Sequence, residues 1–140
     1  MHALTTKIVA ELDMLYGLYQ LAIDLVKRIN PEDEASTARI LDARQKILDK
    51  TTEASAETVA LLKPFYEMKI IPANEMALVD EKRKLILDLS ARMNQADNHV
   101  FRMMHARLAA IRKEMAGQVE RKNAMRAYLQ APQAQFMVHE

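Results

Sequence analysis

MALVDEKRKLILDLSARMNQADNHVFRMMHARLAAIRKEMAGQVERKNAMRAYL, residues 76–129, decides the fold. No proline interrupts it, its one glycine is Gly117, and apolar side chains return every three or four positions. That spacing places them along one side of an α-helix. Read as a single helix the stretch would be about 80 Å long, at about 1.5 Å per residue. A helix of that length needs a partner along its apolar stripe. It therefore folds back at a hinge, or it packs on other helices and keeps apolar surface for something else.

The composition agrees with an all-α chain. Half of the 140 residues are hydrophobic, but aromatics are only 5% and glycines number two, too few for a turn-rich β architecture. Strong helix formers dominate instead, and the length suffices for one domain with its own core. With 20 basic and 19 acidic side chains, the whole chain is no polyanion binder. The charge is uneven, however: Arg92 to Arg126 holds eight Lys or Arg against three acids, whereas residues 1–63 hold eight bases against ten acids. Solvated faces and pairing between acidic and basic helices account for this, because a nucleic-acid surface needs a denser basic stripe. Without cysteine, disulfides and thiolate chemistry are excluded. The N-terminal residues lack the layout of a signal peptide, and no run is apolar enough to span a bilayer. The expected location is the cytoplasm.

Helix one is expected from about Leu4 to Ile29, with a seam of Ile8, Leu12, Leu15, Tyr19, Ala22, Val26 and Ile29 in alternating steps of four and three. Asn30-Pro31-Glu32 reads as a stop and restart, with Asn30 as N-cap and Pro31 as first helical residue. So short a connection makes helices one and two antiparallel neighbours. Helix two carries Ala38, Leu41, Leu48, Val59 and Leu62 on one side, and its Thr- and Ser-containing middle, 49–57, is the stretch expected to bend or fray. Pro64 ends or kinks it. The link between Pro64 and Pro72 is apolar: either a loop folded onto the bundle end or a partner-binding patch.

Helix three is expected to start near Pro72 or Asn74 and to follow Met76, Val79, Ile86, Leu89, Met93, Ala96 and Val100. Val100, Met104 and Leu108 are then spaced four and four, a slip of the kind that unwinds a heptad. A break is expected near residues 94–100, where the polar Asn94-Gln-Ala-Asp-Asn98 lies, and a loose tail over 131–140. Leu41-Asp-Ala-Arg-Gln-Lys-Ile-Leu48 echoes Val79-Asp-Glu-Lys-Arg-Lys-Leu-Ile86, a suggestive internal repeat.

Chemistry-bearing motifs are poor. His99 and His105 lie about 120° apart around a helix and cannot chelate one ion together; neither has a Glu three positions before it, as a di-iron bundle requires. A histidine phosphotransfer domain places Lys and then Gly after its acceptor, but here Arg102-Met103 and Leu108-Ala109 stand at those positions. No phosphate-binding loop or nucleophile elbow is found. The chain reads as a non-enzyme, with no catalytic residue, metal or cofactor implied. Methionine is the informative excess: ten in all, seven of them from Met76 onward. Unbranched and polarizable, Met adapts to varied partners. Met103 and Met104 cannot both face one seam, so the last helix is apolar on two sides.

Asp80-Glu-Lys-Arg-Lys-Leu-Ile-Leu-Asp-Leu, the polar Asn-Gln-Ala-Asp, and a basic helix closing on Arg121-Lys-Asn-Ala-Met-Arg-Ala-Tyr128 together resemble bacterial flagellar export chaperones, the FliT-like and FlgN-like families. Leu15-Tyr-Gly-Leu-Tyr19 is similar to their first helix and Leu41 to Leu48 to the second. The likeness spans about three-quarters of the chain. The stretch between Pro64 and Pro72 has no counterpart. The resemblance implies a small helical cytoplasmic protein that binds the aggregation-prone helical terminus of a secreted flagellar subunit, keeps it from assembling early and presents it for export.

The residues expected to bind that partner are Met104, Leu108, Ile111, Met115, Val119, Met125 and Tyr128, with Arg107, Arg112 and Arg121 as basic rims. The same residues could instead form the core or the seam of a homodimer. The expected architecture is an antiparallel helical hairpin packed on a very long third helix. The alternative function is a scaffolding coiled coil that dimerises through that helix. No nucleic-acid or membrane partner is expected.

Overall fold

The computed structural model describes residues 1–130 in full and follows the backbone to His139. The loose tail expected over 131–140 lies outside the fully described residues. Three helices follow in order: α1 (Ala3–Lys27), α2 (Glu34–Glu67) and α3 (Ala73–His139). Among the described residues there are no strands, and the fold is all-α. The chain divides into two units, Met1–Phe101 and the part from Arg102 onward.

The first unit is built on α1, whose alternating seam behaves as its spacing predicts. Ile8, Leu12, Leu15, Ala22 and Val26 are buried, as is Ile29 just beyond the helix, and Tyr19 is half-buried. His2 begins the helix: its Nδ1 accepts from the Leu4 N–H at 3.0 Å, satisfying one otherwise orphaned donor. The His2 backbone N–H in turn donates to the Glu75 carboxylate at 2.8 Å. Glu75 is only 6% exposed, so this bond meets the demand of a buried carboxylate for a donor and ties the start of α1 to the start of α3.

The turn between α1 and α2 differs from the sequence expectation. Asn30 is not the N-cap of α2; its side chain accepts from Glu32 N–H and its carbonyl from Asp33 N–H, closing a turn around Pro31. Asp33 takes the cap instead, accepting from Ser36 N–H at 3.0 Å. The hairpin is antiparallel. One end packs Val26 and Ile29 against Ile40 and Leu41, and the other sets Ile8, Leu12 and Leu15 against Ala54 and Phe65.

Along α2 the fully buried positions are Thr37, Thr51, Ala54, Thr58 and Phe65; of the expected stripe, Leu41 and Leu62 are half-buried and packed against the two clusters, and Leu48 is half-buried. Val59 is 61% exposed and Ala38 also faces solvent. Thr51 and Thr58 can sit inside because each hydroxyl donates to the carbonyl four residues back, at 2.9 and 2.8 Å. Their methyl groups are left to pack. The helix is uninterrupted through 49–57 and past Pro64, ending where Met68 N–H bonds to the Pro64 and Phe65 carbonyls.

The link to α3 lies on the bundle end. Phe65 is fully buried and Ile71 nearly so, with Met68 packed beside them. Tyr66 donates to Asp80 at 2.5 Å and accepts from Arg83 at 3.0 Å. Burial pushes its phenol above the ordinary value; Asp80 adds to that and Arg83 opposes it.

The expected break near 94–100 is absent: α3 is helical through it. Asn94, Gln95 and Asn98 face solvent, Ala96 and Val100 face the hairpin, and the half-buried Asp97 pairs with Arg44 of α2. The polar cluster is therefore the outer face of a continuous helix.

Candidate interaction surface

From Arg102 the character of α3 changes. Up to Val100 it buries Glu75, Val79, Leu89 and Val100; over 102–130 no side chain is buried. The segment is helical because it is rich in Ala, Arg, Lys, Glu, Gln and Met, all good helix formers. Yet it keeps the apolar periodicity of a helix that expects cover.

The residues singled out for partner binding lie here on one continuous helix. Met104 and Leu108 are 37% and 43% exposed, Met115, Val119 and Met125 more than half exposed, and Tyr128 76% exposed. Ile111 is half-buried. None belongs to either buried cluster of the chain. They are not the core of the described fold.

Two residues on this surface escape a search for apolar letters. Stepping four and three from Met104 gives Leu108, Ile111, Met115, Gln118, Lys122, Met125 and Leu129. This is an unbroken heptad seam with two polar members. Val119, the apolar neighbour of Gln118, hides that register, and Leu129, 60% exposed, completes it. Arg107, Arg112, Arg121 and Arg126 occupy positions beside the seam, with Glu114 the one acid among them.

The first unit offers a different surface. An open cleft of about 800 Å³ lies between Tyr19, Leu48, Thr52, Val59 and Met93. Asp49 is the charged residue in its lining, and no basic side chain borders it. Among the described residues no three or more acidic or histidine side chains gather as a metal site, and no helix is long and apolar enough to cross a membrane. Comparison with protein-family models, characterised proteins and solved structures gave no match to this chain.

Proposed function

We propose that this chain is a cytoplasmic export chaperone for a secreted flagellar subunit, a binding protein and not an enzyme, whose α3 surface beyond Arg102 receives a helical segment of the client. One observation carries the reading: a helix with a heptad seam whose large apolar residues, from Met104 to Leu129, are half-buried at most. A contiguous apolar surface of this kind marks an interaction site, and an amphipathic helix is the partner that such a seam accommodates. Methionine at 104, 115 and 125 suits a surface that adapts to its guest. The likeness of Asp80–Leu89 and Arg121–Tyr128 to flagellar export chaperones supplies the biological role.

The test is a titration of the full chain with the terminal helical segments of the secreted flagellar subunits of the same organism, followed by light scattering of the mixture. One segment is expected to form a complex with micromolar or tighter affinity, about −8 kcal/mol or better, containing one copy of each partner. A tight homodimer that excludes every segment would support the scaffolding alternative and overturn the proposal.

A further inference from the structure

Resting on the guest-helix reading, we infer that Lys122 fixes the register of the guest: the partner is an amphipathic helix with acidic flanks and one Asp or Glu in its own seam, seated opposite Lys122.

The seam itself supports this. Gln118 and Lys122 form a polar step in the seam between Met104–Met115 and Met125–Leu129, so the apolar residues of the seam fall in two runs, with Val119 beside the step. A uniform seam would let a guest slide by a heptad, whereas a charged seam residue penalises every register that sets it against an apolar side chain. The pairing that satisfies the Lys122 ammonium is a carboxylate at the facing seam position. The flanks select the same chemistry. Over 102–129, seven Lys or Arg stand against two Glu, a net of 7 − 2 = +5.

Two other occupants fit less well. A second copy laid parallel and in register would oppose Arg107 to Arg112, Arg121 to Arg126 and Lys122 to Lys122, and like charges at these positions are destabilising. An anionic lipid surface would attract the basic rim, but Lys122 lies within the apolar face, where insertion would place its charge toward the hydrocarbon.

The experiment uses the full chain and two synthetic helical peptides of about 30 residues. Each has a Leu seam and Glu flanks; they differ only in a single seam position, Glu in one and Lys in the other. The seam-Glu peptide is expected to bind about tenfold or more tightly than the seam-Lys peptide, with affinity falling as salt is raised. Lys122→Glu should reverse that preference, and Lys122→Met should erase it. Lys122 is exposed, so helix content measured by circular dichroism stays constant across these variants. Equal binding of both peptides overturns the register assignment and leaves the guest-helix reading standing. If neither peptide binds while the chain sediments with phosphatidylserine vesicles, or while it dimerises through α3, both fail.

Discussion

Glutamate at Met104 and Leu108 together is expected to abolish guest binding while leaving the fold intact. Each of these apolar anchors, once covered, contributes about 1.5–3 kcal/mol by the area it removes from water. Replacing both loses that gain and adds the cost of covering two carboxylates. The affinity should therefore fall by about a thousandfold or more, since each 1.4 kcal/mol is tenfold. The fold should not notice. Both residues are substantially exposed, at 37% and 43%, and glutamate is a good helix former. Ala106→Glu, an exposed position on the opposite side of the helix from Met104 and Leu108, serves as the control that keeps binding. Circular dichroism and a binding isotherm read the two effects separately. A collapse of helicity in the double variant would show that Met104 and Leu108 are core.

Phe65→Ala should have the opposite profile, a large loss of stability. Phe65 is 0% exposed and sits where the end of α2 meets Ile8, Val79 and Ile71. Its ring also stacks edge-on against Tyr66, with centroids 5.2 Å apart. Truncating a buried Phe costs about 3–5 kcal/mol, through lost transfer energy and the cavity left behind. Small domains hold only about 5–15 kcal/mol in all, so the melting midpoint should drop by about 15–30 °C in a domain of this size. Denaturant or thermal melts check it. A change under about 1 kcal/mol would show that this end of the bundle is not packed as described.

The two variants also mark what could be read from the sequence. The α1 seam was legible because Ile8, Leu12, Leu15, Tyr19, Ala22 and Val26 follow strict steps of four and three, and all are buried except the half-buried Tyr19. The α2 core was not. Its inward positions include Thr51 and Thr58, which hydropathy ranks as surface, and bonds from their hydroxyls to the carbonyls of Ile47 and Ala54 offset the cost of burying them. Asp33 displaced Asn30 as the cap because the residues around Pro31 close a turn of their own before α2 begins. The polar letters at 94–98 suggested a break because sequence alone does not say which face they occupy; Arg44 reaching Asp97 fixes the answer.

On the exposed part of α3 the apolar residues were legible as a helical stripe and the heptad register was not. Val119 beside Gln118 masks the heptad step, and Lys122 has the character of a solvated charge although Met125 and Leu129 continue the same steps. A seam that includes a charge has no hydrophobic signature at that layer. Its signature is the spacing on either side.

Amide hydrogen exchange on the full chain, free and saturated with its client segment, tests where the guest lies. Covering the seam should slow exchange across residues 104–129 by tenfold or more, because a helix buried along one face opens less often. The amides of α1 and α2 should exchange at the same rates in both states. Protection confined to the cleft bordered by Tyr19, Leu48 and Val59, with 104–129 unchanged, would contradict the assignment of α3 as the binding surface.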